Sequence, residues 1–520
     1  MAVRLRLADL LGGLSIVADL GFGLPPQTAM RSCLVGTALA RDLGATRDEV
    51  ADTFYASLLL HVGCTAFAHE AAAAMGDELT INRAVATTNF ADPGDVLRTF
   101  IPQATRGMPR LAQARAAAFI VTRGKGFGKR HETASCEVAR ATARRLGLPA
   151  SLQRAVYEMH EWWQGGGAPR GLKGEEIALP ARIARVATDA ALFDDIGGPE
   201  LAVEALRRRA GGMLDPSIVR VFIANAATVL ADANTGDPRE RILEVEPEPA
   251  VEKNPDEVPQ VAAAFGDLAD LKTPFTHGHS KEVARLATAA GESLRLDMTT
   301  VARLQVAALL HDVGRVGISN AVWEKPGPLT TAEWEQVRMH AYHSERILAT
   351  SRALEPVALI AGMHHERLDG SGYHRGCRGA DISAAARILA VADVFQAQTQ
   401  PRPHRQALDG ERAGAELVQE ARGGRLDPDA VGAVLEAAGQ RRTRVRGDLR
   451  PAGLTEREIQ VLRLLAQGAS NPQIAERLYV SRRTAEHHVQ HIYAKIGVSS
   501  RAAAALFALE HDLLSSGTDS

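Results

Sequence analysis

Seven residues within one stretch carry side chains that bind first-row divalent metals. They are His279, the adjacent pair His311-Asp312, His340, the adjacent pair His364-His365, and Asp393 inside the apolar run ILAVADVF. Seven donors exceed what one tetrahedral or octahedral ion takes from protein alone, so the set implies two ions. Neighbouring residues of one helix differ in direction by about 100°, which lets an imidazole hold one ion while the next carboxylate leans across to a second. His311-Asp312 is such a pair, with Asp312 as the expected bridge. Two ions so placed polarise phosphoryl oxygens and bring the pKa of a shared water near neutrality, ready to attack phosphorus in line with a leaving ribose oxygen. The chemistry expected is phosphoester hydrolysis.

Donors this far apart in sequence need rigid elements to bring them together. The chain has 520 residues, 46% of them hydrophobic, enough for about three domains at the usual domain size. Aromatic residues amount to only 4%, while Ala, Leu, Arg and Glu crowd the segments with helical spacing, which predicts an all-α protein. Four widely spaced cysteines, Cys33, Cys64, Cys136 and Cys377, show no paired metal spacing and fit a reducing cytoplasm. Asp9 and Asp19 interrupt the apolar stretch after Arg4 and Arg6, so that stretch reads as an amphipathic helix rather than a signal segment or membrane span.

An internal repeat divides the chain. GGMLDPSIV at Gly211 returns as GGRLDPDAV at Gly423, RGLKGEEIALPARIARVAT at Arg170 as RGCRGADISAAARILAVAD at Arg375, and HEWWQGGG at His160 as HERLDGSG at His365. One helical domain is duplicated. EVEPEPAVEKNPDEVP, from Glu244, mixes acids with prolines and cannot form a continuous helix, so residues 236–260 are expected to link copies at 1–235 and 261–440. A basic linker is expected at 441–452, and a last domain at 453–514. In the first copy Arg31, Val62, Met159 and Thr188 replace His279, Asp312, His364 and Asp393, leaving only His61, His131 and His160. Without the bridging carboxylate that copy is expected not to hydrolyse anything.

The second copy resembles the HD-GYP family of the HD phosphohydrolase superfamily, through HDVGRVGI, KPGPLTTAEW, MHAYHSERIL, HHERLDGSGYHRG and ARILAVADVF. The resemblance implies a helical fold, a di-iron or di-manganese centre on those seven donors, and hydrolysis of cyclic di-GMP. Arg315 stands where the family usually has lysine, and its guanidinium offers a two-pronged phosphate contact. Asp312 and Arg315 are the expected catalytic pair, and Arg315, Gly372, Tyr373 and Arg387 the expected substrate contacts. The family's Gly-Tyr-Pro is Gly372-Tyr373-His374 here, and Phe275 occupies the position of a third-metal glutamate, which favours two ions.

From Arg441 to Leu514 twelve Lys and Arg outnumber seven Asp and Glu, a net charge of +5 within a chain of −2. LTEREIQVLRLLAQGASNPQIAERLYVSRRTAEHHVQHIYAKIGVSSR, from Leu454, resembles the LuxR-type helix-turn-helix. Ser470 and Ser481 start its second and third helices, and Ala485, Val489, Ile492 and Ile496 form the third helix's inner stripe. The outward face carries Arg482, Arg483, Thr484, Glu486, His487 and Gln490, the expected DNA contacts together with Lys495 and Arg501. Glu486 stands where the family commonly has lysine.

The whole reads as two tandem HD-type helical domains followed by a four-helix DNA-binding domain: a cytoplasmic phosphodiesterase tied to transcription regulation, with DNA and a cyclic dinucleotide as partners, dimeric on DNA, with no membrane association. The alternatives are hydrolysis of another nucleotide or phosphoester, and a non-catalytic nucleotide sensor.

Overall fold

Alanine-rich segments with apolar residues every three or four positions fold as helices throughout the computed structural model, which describes residues 5–403, 405–440, 452, 454–511 and 513–514. The basic linker expected at 441–452 lies almost wholly outside the described residues. Six helices of the first copy, Thr28–Asp42, Arg47–Leu58, Arg110–Arg145, Ala150–Tyr157, Leu179–Arg209 and Pro216–Ala233, recur in the same order. Their counterparts are His279–Ser293, Met298–Leu310, Thr331–Leu348, Glu355–Gly362, Ala384–Thr399 and Pro428–Ala437. The loops between repeat on the same interactions. Glu161 accepts from the backbone N–H groups of Arg170, Gly171 and Leu172, and Glu366 from those of Arg375 and Cys377. Arg182 pairs with Asp215 at 2.7 Å, as Arg387 does with Asp427 at 3.1 Å.

The two copies do not stand apart as separately cored domains. One continuous hydrophobic cluster runs from Leu7 to Leu435 through both. Its axle is the helix Leu7–Gly21, which is buried on nearly every side rather than along one stripe, so the expected amphipathic helix is instead a central one. Asp9 accepts from Ser351 Oγ at 2.7 Å and from the Ala353 N–H at 3.0 Å, and Gly21 lies against Thr65 of one copy and Val316 of the other. Residues 236–260, expected to link the copies, form part of this body. Pro238–Val245 is helical with Ile242 buried against Gly12, Glu246 binds Arg6 and Tyr55, and Glu252–Lys253 pairs antiparallel with Leu5–Arg6. Glu246, one of the acids that read as solvated linker, is satisfied by partners more than 190 positions away, which local composition cannot reveal.

A buried ion pair joins the copies beside the donor-bearing segments. Glu78, at the start of the helix Glu78–Thr87, accepts from Lys272 Nζ at 2.8 Å, from Ser319 Oγ at 2.8 Å and from the Asn320 N–H at 3.0 Å. Lys272 precedes the helix that begins at His279, and Ser319 follows the turn after Asp312, so one carboxylate of the first copy ties both flanks of the donor set. The C-terminal helices Glu456–Ala466, Asn471–Arg477, Arg482–Ile496 and Arg501–Glu510 have a hydrophobic cluster of their own.

Two stability outcomes follow. Glu78→Ala strands the Lys272 ammonium in the interior and is expected to cost about 3–5 kcal/mol in a urea titration, the range for breaking a buried pair. Burial pushes the Asp19 carboxyl up from 3.8 to about 8, against the opposing pull of the Ala29 N–H that it accepts from at 3.2 Å. The unfolded chain ionises Asp19 at its ordinary value, so wild type loses stability as pH rises from about 4 to about 8. Asp19→Asn keeps an acceptor without that loss, and its thermal midpoint is expected to exceed wild type increasingly over this range, with no gain near pH 4.

Candidate metal centre and DNA-binding end

The helix Met298–Leu310 stops at His311, so the His-Asp pair straddles a helix end rather than lying within one helix. Asp312 opens a tight turn, Val313–Gly317, that presses on the helix Thr331–Leu348. Gly314 permits this approach: its N–H donates to Ser344 Oγ at 2.9 Å, and a Cβ there would sit 2.2 Å from the His340 carbonyl. His279 starts its own helix, with Asp270 accepting from the Ser280 N–H at 2.9 Å, and Asp393 lies midway along Ala384–Thr399.

These elements bring all seven expected donors together. Asp312 Oδ1 lies 3.3 Å from His340 Nε2 and 3.6 Å from His364 Nε2, while Oδ2 lies 3.6 Å from His279 Nε2 and 3.7 Å from His311 Nε2. Asp393 Oδ1 faces His279 at 3.3 Å and His311 at 3.7 Å, and its Oδ2 lies 3.5 Å from His365 Nδ1. Two groups result, His279-His311-Asp312 and His340-His364-His365, each with ligand atoms within 4.8 Å of one another. His311, His340 and His364 each engage through Nδ1 the backbone carbonyl three residues earlier, of Ala308, Val337 and Ala361. That arrangement turns the Nε2 lone pairs inward, as metal-binding imidazoles require. His279 Nδ1 meets Gln396 Oε1 in the same way.

The electrostatics suit cations. Burial opposes ionisation of Asp312, yet Arg315 and the imidazoles hold it well below the usual carboxylate range, and the same contest at Asp393 is won by His279 and His311. Burial holds His340 down to about 3 and His365 well below its ordinary value, so both stay neutral. His311 differs: despite burial, Asp312 and Asp393 raise it to about 9. Imidazole and carboxylate oxygen in this proportion fit a pair of first-row divalent ions.

Around the centre, Arg315 donates to Asp312 Oδ2 at 2.9 Å and lies over the Trp323 ring at 4.1 Å. The Tyr373 ring sits 4.3 Å from that of His365, and Gly372 allows the loop to close on Glu366, whose Cα would be 2.5 Å from an added Cβ. Arg387 is not brought to the centre. It holds Asp427 and the carbonyls of Ile382 and Gly379, the role Arg182 has in the first copy, so its place is in the scaffold. Two residues went unnoticed in the sequence. Gln396 lies three positions after Asp393 on the same helix, a spacing that could have found it. Arg402 is half-buried, and its desolvation together with neighbouring Arg315 brings its guanidinium down to about 10, with Asp312 and Asp393 acting on it in the opposite direction. The only sign of it was a cation between two prolines just beyond that helix.

At the C-terminal end Ser481 Oγ accepts from the Thr484 N–H at 3.1 Å and starts the helix Arg482–Ile496, with Ala485, Val489 and Ile492 buried beneath. Arg482, Arg483, Thr484, His487 and Gln490 are exposed, and the half-buried Glu486 pairs with Arg482 at 3.0 Å. Two expected phosphate contacts also have partners within the domain. Lys495 binds Glu458 at 2.7 Å, and Arg501 binds the Ala469 carbonyl and Asn471, pinning the helices together.

Comparison with known proteins places this geometry. Residues 127–218 and 263–430 match the HD domain, one segment in each copy. A 3'3'-cGAMP-specific phosphodiesterase of Vibrio cholerae is 30% identical over 435 residues, 83% of this chain and 94% of the relative. The chain belongs to the HD domain family. Residues 452–508 match the luxR family of bacterial regulatory proteins, so the chain joins an HD-GYP-type HD domain to a LuxR-type helix-turn-helix. The crystal structure of a V. cholerae cyclic GMP-AMP phosphodiesterase covers 87% of the chain and 100% of its own, with a TM-score of 0.58 at 26% identity. A Thermotoga maritima cyclic di-GMP phosphodiesterase is 36% identical over 180 residues, 34% of this chain and 48% of that one.

The first HD copy keeps the frame without the centre. His61, His131 and His160 line a cavity of about 40 Å³, with Thr188 and the guanidinium of Arg185 among its walls. Burial holds His61 down to about 3 and His131 to about 4, and among the described residues the three rings form no metal-binding group. Arg31, in the place of His279, pairs with Asp195 at 2.8 Å.

Gln396→Ala removes the acceptor that orients His279. Manganese titration of the variant is expected to show metal affinity about 10–100-fold weaker than wild type, with an unchanged melting curve for the metal-free protein.

Proposed function

We propose that the chain is a binuclear metal-dependent phosphodiesterase that opens a purine cyclic dinucleotide and is carried to DNA by its LuxR-type end. The observation that carries this reading is the division of Asp312: one oxygen faces His340 and His364, the other His279 and His311. His279, His311, Asp312 and Asp393 would hold one ion, and His340, His364, His365 and Asp312 the other, iron or manganese by donor type. Bound there, two divalent ions supply Lewis acidity toward phosphoryl oxygens and an activated water.

The remaining work falls to the chain. Arg315 and Arg402 present cations beside the carboxylates, where a phosphodiester can be gripped and charge growing on its oxygens offset. Arg315 is backed by the Trp323 ring, 4.1 Å from its guanidinium carbon. Tyr373, against His365, gives the entrance an aromatic wall on which a base can stack. Asp312 and Asp393 remain ionised across the physiological range, so the donor set needs no proton loss from either carboxylate before binding cations.

Cyclic di-GMP is the substrate implied by the resemblance in the catalytic copy. A second reading, 3'3'-cGAMP, is favoured by the V. cholerae relative, which matches through both copies rather than the catalytic one alone. The test is anaerobic purification with metal analysis, then incubation with each dinucleotide and chromatography of the products. About two ions per chain are expected in wild type. Linear product from one dinucleotide is expected as well, and Asp312→Ala should lose both the metal and the product. Full metal loading with both dinucleotides intact would instead mark a nucleotide sensor.

A further inference from the structure

Between Asp95 and Glu132 the chain has 36 consecutive residues without an acid and eight with a basic side chain. This stretch is peculiar to the first copy, where 70 positions separate His61 from His131, while the equivalent His311 and His340 are 29 apart. It forms a short helical region and then the first half of the helix Arg110–Arg145. Before Ser135 that helix buries only Ile120, which joins Phe119 and Phe127 in a small cluster with Met75, Ile81 and Phe100. Its apolar contacts are thus already made, and its basic side chains face outward. Arg106, Arg110, Arg115, Arg123 and Lys125 are all exposed, with no acidic or hydrogen-bonding partner among the described residues, and Lys129 is exposed with Glu132 as its acidic neighbour.

Solvated helix faces elsewhere in this molecule alternate their charges, as Glu282 with Arg285 and Glu335 with Arg338 do. A run of like charges repels itself unless a polyanion lies alongside. The basic half-helix, from Arg110 to Arg130, rises about 1.5 Å per residue and so spans about 30 Å, close to one turn of duplex DNA, along which phosphate charges recur every 1.7 Å or so.

We propose that this arm is a second, sequence-independent DNA contact that grips the phosphate backbone alongside the LuxR-type domain. Charge complementarity selects a polyanion, and the DNA-binding domain in the same chain selects DNA, because a tethered duplex meets the arm at high effective concentration. A lipid surface is disfavoured, since the large apolar side chains exposed on this half-helix, Leu111 and Val121, stand singly among cations instead of forming a membrane-facing stripe. The inference does not depend on the phosphodiesterase reading.

The test uses the full chain and a fluorescent random-sequence duplex of about 30 base pairs, with anisotropy titrations from about 50 to 200 mM salt. Arg115→Gln, Arg123→Gln, Lys125→Gln and Lys129→Gln are combined in one variant, and Arg482→Ala with Arg483→Ala in another. Four lost phosphate contacts should make the salt slope of the first variant shallower by about three to four, at about 0.9 per contact. Its melting curve should match wild type. The second variant should keep measurable duplex binding that disappears when the sets are combined. An arm variant with wild-type affinity and slope would overturn the proposal while leaving the LuxR-type assignment standing. So would loss of all duplex binding in the second variant, or binding to phosphatidylserine vesicles, rather than to duplex, that requires the same four cations.

Discussion

Asp312 has two oxygens and must serve two groups of imidazoles, and much of the catalytic copy is arranged around that demand. Here the helix ends at His311, the chain turns at once, and Asp312 stands at the corner facing both groups. The turn is held by Gly314 against Ser344, on the helix that carries His340. Arg315, three positions on, folds back onto the same carboxylate. The position and the charge surroundings of this carboxylate are therefore set by one short segment, HDVGR.

The second copy does not hold that segment in place alone. Its flanks are tied by Glu78, and the helix Leu7–Gly21 packs behind it, with Leu20 beside Gly317 and Gly21 beside Val316. A domain that lost its own donors thus persists as the wall of its neighbour's centre. This accounts for a first copy that keeps the repeated loop and ion-pair scaffold while Arg31, Val62, Met159 and Thr188 occupy the positions of ligands.

Helix content, the duplication, the helix-turn-helix and the seven donors were legible in the sequence because each is written locally, in periodicity, in repeated words or in residue type. The burial of Leu7–Gly21 and the structured stretch 236–260 were not, since their partners lie hundreds of positions away and composition reports only average polarity. Arg387, Lys495 and Arg501 have the right chemistry for phosphate, but an arginine or lysine is equally suited to pairing with a buried carboxylate or carbonyl. In the folded chain Asp427, Glu458 and the Ala469 carbonyl engage these three cations. Arg402 was missed for the converse reason: nothing near it in sequence shows that its loop is laid against the centre.

The central position of Leu7–Gly21 has a bearing on how the protein is made. Asp9 and its partner Ser351 are 342 residues apart, so at a synthesis rate of about 5–20 residues per second this helix waits on the order of 20–70 s for the last of the groups that cover it. Met30, Thr65 and Ile242 cover part of its apolar surface earlier, and the side turned to the second copy stays open for the whole interval. A chain built this way depends on folding helpers during translation more than its modest helical topology would suggest, and slow codons before Ser351 would lengthen the exposure.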